Sequence, residues 1–359
     1  MKIAQISPLY EAVPPKLYGG TERVVHYLTE ELVKMGQEVT LFASGDSKTS
    51  AILQAIVPEA LRLKNCEDGL IPHLLQIEEV MDRAHEFDLI HFHTDYLNFP
   101  FTNGLDVPHV TTLHGKLSIA ELQPFYNKYR HQPVISISKS QRKPLPQANW
   151  VGNVHHGLPI DLLKPGKGTG NYLAFLGRVS PEKGLESAIS IAIAAGLPLK
   201  VAAKIDKADK EYYEDKVRKL FDHPLVEYIG EVNEKQKQRF LGNAMALLFP
   251  INWEEPFGMV LIEAMACGTP VIAFNRGSVP EIIENGRNGF LVATEKQAIK
   301  ALDQLHKIDR KEVRFHFEER FSSRRMMLDY LKIYEKQVSK ARSKVKTIYP
   351  LGVTKLSAI

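Results

Sequence analysis

Two alternating patterns run along the chain. Short runs rich in β-branched and apolar residues, at 2–6, 38–42, 88–93, 109–113 and 134–138, read as strands. The stretch 21–35 reads as a helix, because Val24, Val25, Leu28, Leu32 and Val33 recur at helical spacing and Gly36 stops it. The second half repeats this grammar. Strands are expected at 172–176, 199–203, 226–229, 246–249 and 271–274, and helices at 182–195, 211–221, 234–243 and 257–267. Between the halves, 157–170 is rich in Gly and Pro and reads as a linker. Strand alternating with helix argues for parallel α/β sheets. The economical fold is therefore α/β, with two facing Rossmann-like, doubly wound domains over 1–160 and 161–322 and a closing helix and tail over 323–359. Ligands of such sheets bind beyond the C-terminal ends of the strands, which makes the cleft between the domains the expected site.

Composition narrows this picture. At 359 residues the chain is long for one core and suits two. Hydrophobic content of 44% and charged content of 25% are ordinary for a soluble globular protein. A net charge of +4 is too weak to argue for nucleic acid, and no zinc-finger, RNP or basic-zipper pattern occurs, so no nucleic-acid partner is expected. Cys66 and Cys267 lack metal-like spacing and point to a reducing compartment, hence a cytoplasmic location. Residues 1–8 read as a strand entering a turn rather than as a secretory leader. No apolar run is long enough to span a bilayer, which leaves peripheral membrane contact at most. The basic tail residues Lys340, Arg342, Lys344 and Lys346 read as a solvated end, with contact to anionic lipid as the alternative.

The most informative stretch is 253–273, WEEPFGMVLIEAMACGTPVIA. Glu255 and Glu263 stand eight residues apart, and Glu263 sits inside an almost wholly apolar helix. A helix apolar all round is buried, and a buried carboxylate is costly without partners. The two hydroxyls of a ribose would satisfy both oxygens of Glu263. Glu255 precedes the helix, where unpaired N–H groups and the positive end of the helix dipole suit a polar or anionic ligand. Gly19 and Gly20 follow the first strand and open a helix at Thr21-Glu22, so the backbone can approach a ligand there and a phosphate is favoured. In FLGRVSPEKG, at 175–184, Arg178 and Lys183 flank a strand-to-helix turn. A planar fork of donors and a point charge together suit a diphosphate without a metal. His114 and Asp95 end strands and face the cleft, Asp95 as a candidate for orienting an acceptor. His91 and His93 share one strand face without a third ligand, so no metal site is expected.

Taken in order from Met1 to about 334, these segments resemble the retaining glycosyltransferases of family GT4, which have the GT-B fold. The stretch 253–273 is similar to their E-x7-E motif, and 175–184 to their phosphate-binding segment. The resemblance implies roles for the residues already named. The Gly19-Gly20 loop reaches the donor diphosphate and the acceptor, with Thr21 among the acceptor contacts. His114 touches the donor sugar, and the backbone near Val232 in YIGEV meets the nucleobase. Glu263 holds the ribose, while Glu255 and the backbone of Phe257, Gly258, Met259 and Val260 hold the sugar. The last helix, about 324–340, crosses back onto the N-terminal domain. No two aspartates stand two residues apart, so the chain lacks the Asp-x-Asp pair with which GT-A enzymes hold a metal. No metal and no cofactor are implied. One departure is VAAKID at 201–206, where many GT4 members carry a Gly-rich turn. Lys204 stands there, and base recognition is left open.

The implied reaction is transfer of a hexose from a nucleotide-diphosphate sugar, UDP-glucose or a related UDP-sugar first, to a hydroxyl acceptor that attacks from the face of the leaving phosphate. Double displacement through Glu255 is the formal alternative. Nucleotide-sugar 2-epimerases and phosphorylases also use two facing Rossmann-like domains, and a non-catalytic nucleotide-sugar-binding protein is a further reading. Segments 14–22 and 41–47 look like a GT4 subgroup that includes pterin glucosyltransferases, which implies a small soluble acceptor. Basic and aromatic residues in 125–143 leave a lipid-linked or saccharide acceptor open. Oligomeric state is not legible.

Overall fold

The computed structural model describes residues 1–16, 19–64 and 66–348, with side chains to 343. The side chains of Lys344 and Lys346, and the rest of the tail beyond 348, lie outside the described residues. Two parallel sheets organise the chain. The first comprises β1 (Lys2–Ile6), β2 (Glu38–Ser44), β3 (Ile52–Val57), β4 (Leu89–Phe92), β5 (His109–Thr112), β6 (Pro133–Ser136) and β7 (Asn149–Asn153), in the order β3-β2-β1-β4-β5-β6-β7. The second comprises β8 (Leu173–Arg178), β9 (Leu199–Lys204), β10 (Val226–Gly230), β11 (Ala246–Phe249), β12 (Val271–Phe274) and β13 (Gly289–Val292), in the order β10-β9-β8-β11-β12-β13. Every pairing within them is parallel. Strand order reverses between β1 and β4 and again between β8 and β11. At such switch points the loops diverge and open a crevice beyond the strand ends.

The central strands are the legible ones, because parallel strands buried on both faces read as continuous apolar runs. β3, β7 and β13 carry weaker patterns. β3 is an edge strand with Ile52 68% exposed, and β7 reads NWVGN, half-buried throughout. The region 48–71 contains β3 and the start of a helix, Leu70–Asp82, whose run LIPHLL has no clean stripe. The single helix expected at 211–221 does not form. Lys210–Tyr212 is one α turn, Tyr213–Val217 widens to a π turn and Arg218–Asp222 tightens to a 3-10 turn. The changing pitch lets Tyr212, Tyr213, Leu220 and Phe221 all reach the core of the second sheet.

The chain returns to its start at the end. The helix Ser323–Ile348 follows the helix Arg310–Phe321, and its Tyr330 and Tyr334 are fully buried against the first sheet. Tyr330 Oη lies 3.1 Å from Thr112 Oγ1, and Tyr334 Oη lies 2.6 Å from His91 Nδ1. Leu158 N–H donates to Phe321 O at 2.9 Å, and Ser323 N–H donates back to Leu158 O at 2.8 Å. The largest buried apolar cluster therefore runs from Ile3 and Leu28 through Leu158 and Phe321 to Leu261 and Val271. No described helix is long and apolar enough to cross a membrane.

Candidate active site

The donor side is built by three loops at the C-terminal ends of β8, β11 and β12. Gly184 follows β8 in a left-handed conformation at φ 69°, and a Cβ there would lie 2.0 Å from Pro250 O. Only glycine permits that approach. It seats the turn bearing Lys183 against the loop after β11. Gly277 plays the same part on the other flank, where a Cβ would lie 2.3 Å from Glu255 N. Ser278 N–H then donates to Glu255 O at 2.9 Å, and Ser278 Oγ donates to Phe257 O at 2.9 Å.

So held, Glu255 is 8% exposed. Its Oε2 accepts from Lys183 Nζ at 2.7 Å and from Trp253 Nε1 at 3.0 Å, and the ammonium also lies 5.0 Å from the Trp253 ring centroid. Gly258, at φ 83°, precedes the helix Met259–Ala266. Phe257 is buried, while Met259 and Val260 are half-buried at the helix mouth. The first N–H groups of a helix have no partner within it.

Glu263, 7% exposed, occupies the middle of that helix. Lys237 Nζ donates to its Oε1 at 2.7 Å. Burial pushes the Lys237 ammonium down, but Glu263 and Glu234 outweigh it, so its pKa is raised. Arg178 and Lys183, expected to share one diphosphate, are each engaged by carboxylates. Arg178 pairs with Glu182 at 2.6 Å and Asp209 at 3.1 Å. Lys204 pairs with Asp206 at 3.4 Å. Val232 is half-buried beyond β10 and packs on the main core.

The facing side comes from the loops after β1, β4 and β5. The first helix spans Gly20–Lys34, with Gly19 at its N-cap and Thr21 in its first turn. Glu22, 5% exposed, has its pKa raised to about 7 by burial, with nearby Glu11 adding to the effect. Glu11 is 3% exposed and pairs with Arg62 at 2.9 Å. Asp95, at φ 53°, has Oδ1 3.4 Å from His114 N, and burial raises its pKa to about 6.

His114 ends a chain of hydrogen bonds whose direction follows from its far end. Gln5 Nε2 donates to Tyr334 Oη at 3.1 Å, which leaves Gln5 Oε1 to accept from His93 Nε2 at 2.9 Å. His93 Nδ1 must then accept from His114 Nε2 at 2.9 Å. His114 Nδ1 is left as a buried acceptor with no partner among the described residues. Burial lowers the His114 pKa to about 3, so the ring is neutral. Its ring stacks on His156 at 5.3 Å, and His156 meets the Phe257 ring edge-on at 4.8 Å. His91 instead bonds Tyr334 and Thr112 inside the core.

Contacts among the described residues join the two sides. His156 against Phe257 is one. Glu281 accepts from Lys139 N at 2.9 Å and Ser140 N at 2.8 Å, and lies 3.2 Å from His155 Nε2. Arg23 Nη1 donates to Glu234 Oε1 at 2.6 Å. Sequence reasoning missed Lys237, Arg23, Glu234 and His156. Their partners lie in distant segments, and only the need of Glu263 for a donor hinted at any of them. Among the described residues no group of three or more His, Cys, Asp or Glu is arranged to hold a metal ion.

Known proteins bear on this geometry. Residues 18–151 match the family described as Glycosyltransferase Family 4, and residues 163–320 match Glycosyl transferases group 1. An uncharacterized glycosyltransferase of Methanocaldococcus jannaschii is 27% identical over 270 residues, covering 69% of this chain and 75% of the relative. A solved glycosyltransferase involved in avilamycin A biosynthesis superposes with a TM-score of 0.72 at 23% identity, covering 94% of this chain and 98% of its own. Anabaena HepE, solved with UDP and glucose, gives 0.69 at 17% identity, covering 96% of this chain and 100% of its own. The two facing parallel-sheet domains are the GT-B fold, and the chain belongs to the family 4 glycosyltransferases.

Proposed function

We propose that this glycosyltransferase moves a hexose from a nucleoside-diphosphate sugar to a hydroxyl acceptor with retention at the anomeric carbon, using no metal and no cofactor. One observation carries the reading. Two buried carboxylates eight residues apart each hold a lysine from another segment, Glu255 with Lys183 and Glu263 with Lys237. Lys237 takes Oε1 of Glu263, and the ribose hydroxyls meet Oε2. Lys183 is shared between Glu255 and the β-phosphate, and Arg178 turns from its carboxylates toward the same phosphate. Glu255 and the N–H groups from Phe257 to Val260 hold the sugar, and the backbone at Val232 meets the base. His114, neutral and with Nδ1 unpartnered, accepts from a sugar hydroxyl.

The acceptor enters past Gly19, Gly20 and Thr21, with Asp95 fixing the strand end that bears His114. Its oxygen bonds to the anomeric carbon as the bond from that carbon to the phosphate oxygen breaks on the same face. The acceptor proton passes to the leaving phosphate. Negative charge grows on that phosphate, and preplaced cations stabilise it more than they stabilise the ground state. HepE, solved with UDP and glucose, motivates UDP-sugars as the first donors to test. Free thiols at Cys66 and Cys267 favour a cytoplasmic enzyme.

Thermal unfolding with UDP, GDP and ADP, each with and without chelator, tests the reading. A ligand at about 100 times its dissociation constant adds roughly 2.7 kcal/mol. Stabilisation by one diphosphate, indifferent to chelator, supports it. Stabilisation by none, or only with added metal, overturns it. The anomeric configuration of the product, read by NMR, tests retention.

A further inference from the structure

Four charged side chains form a line from the N-terminal domain to Glu263. Arg23, in the first turn of the helix Gly20–Lys34, donates to Glu234 Oε1 at 2.6 Å across the cleft. Glu234 opens the helix Glu234–Asn243, behind the capping residue Asn233. The same Oε1 takes Lys237 Nζ at 3.2 Å, and Lys237 Nζ reaches Glu263 Oε1 at 2.7 Å. Signs alternate along the line, and the side chains are 19%, 32%, 12% and 9% exposed. Partial burial weakens screening by water, so a change at one end is felt at the other.

Glu234 is the branch point, since one of its oxygens is shared between Arg23 and Lys237. Its other oxygen is buried and has no hydrogen-bond partner among the described residues. With Arg23 in place, part of the Glu234 charge is already neutralised, and Lys237 is free to lean on Glu263. Without Arg23, Glu234 competes for Lys237 with its full charge and draws it off Glu263. Arg23 also belongs to the helix whose N-terminus faces the proposed diphosphate.

We propose that Arg23 and Glu234 are positioning residues for the nucleotide. Their contact sets Lys237, and through it Glu263, in the orientation that receives the ribose. This rests on the reading of Glu263 as the ribose ligand. A static pin between domains would use the same pair without affecting nucleotide affinity, and the two accounts separate experimentally.

UDP affinity of the full chain is measured by calorimetry for the wild type, Arg23→Gln, Glu234→Gln, the double variant, Arg23→Lys and Glu263→Gln, with thermal midpoints recorded for each. Arg23→Gln is expected to weaken UDP binding by about threefold or more, Glu234→Gln to leave it within about twofold, and the double variant to recover most of the Arg23→Gln loss, because no charge at 234 then competes for Lys237. Arg23→Lys should recover part of the loss. If Arg23→Gln lowers the midpoint and leaves UDP affinity unchanged while Glu263→Gln weakens it, the pair is a pin only and the proposal falls with the ribose reading intact. If Glu263→Gln also leaves UDP affinity unchanged, the ribose reading itself falls.

Discussion

Lys183 and Glu255 meet at 2.7 Å although 72 positions separate them. Two backbone approaches that only glycine allows, Gly184 on Pro250 and Gly277 on Glu255, bring their loops together. The pair puts a cation beside the proposed sugar and phosphate before any donor arrives. Such preorganisation costs no rearrangement as charge develops.

Lys183→Met should therefore act on the chemical step. The expected loss is on the order of 2–4 kcal/mol in activation free energy, about 30- to 1000-fold in kcat. Steady-state kinetics should show kcat falling further than the donor KM rises. A change in KM alone would mean that Lys183 only binds the donor.

Lys237→Met should destabilise the fold as well as the site. It strands Glu263 in a buried setting, at a cost of about 2–4 kcal/mol in urea unfolding. Lys237→Met combined with Glu263→Gln should recover at least about 1 kcal/mol of that loss, since no buried carboxylate is left at 263. Additive losses would show that the two are not coupled.

The buried histidines predict acid sensitivity. Burial drives His114 down to about 3 and lowers His91, His93 and His156 well below their ordinary value of 6.5. Below 6.5 the unfolded chain takes up protons that the folded chain refuses. Stability is thus present above that pH and is lost as pH falls toward the folded values, by up to about 1.4 kcal/mol per pH unit for each such histidine. Urea unfolding of His114→Asn should show a shallower decline between pH 6.5 and 5 than the wild type. An unchanged slope would remove His114 from the account.

Glu22 predicts the opposite dependence. Burial raises its folded pKa to about 7 from 4.5. Its stabilising contribution is complete below 4.5 and is lost as pH rises through 7, an effect of about 3 kcal/mol. Glu22→Gln, which does not ionise, should gain stability over the wild type from pH 6 to 8, and the gain should vanish near pH 4.5. Equal pH profiles would show that the carboxyl titrates normally.

Much was legible in the residues alone. Central strands buried on both faces announced themselves as apolar runs, so β1, β4, β8, β11 and β12 were each located within a residue or two. Glu263, alone in an apolar helix, declared a need for partners. Those inferences rest on neighbours in the chain, and local spacing carries them. The stretch 211–221, expected as one helix, misled, because its apolar residues are satisfied by changes of pitch that no fixed period describes.

Which partners answer that need was a matter of tertiary structure. Lys237 lies 26 positions from Glu263, and Arg23 lies 211 positions from Glu234. The direction of the Gln5–His93–His114 chain depends on Tyr334, brought under the first sheet by the last helix. Charge pairing and hydrogen bonding act over a few ångströms in space and are indifferent to sequence distance. The residues alone thus determined which central segments form strands, which helix must bury a carboxylate and which cations stand near a strand end. The tertiary fold alone decided which charge meets which, because only the packing of two sheets and a returning helix makes those distances short.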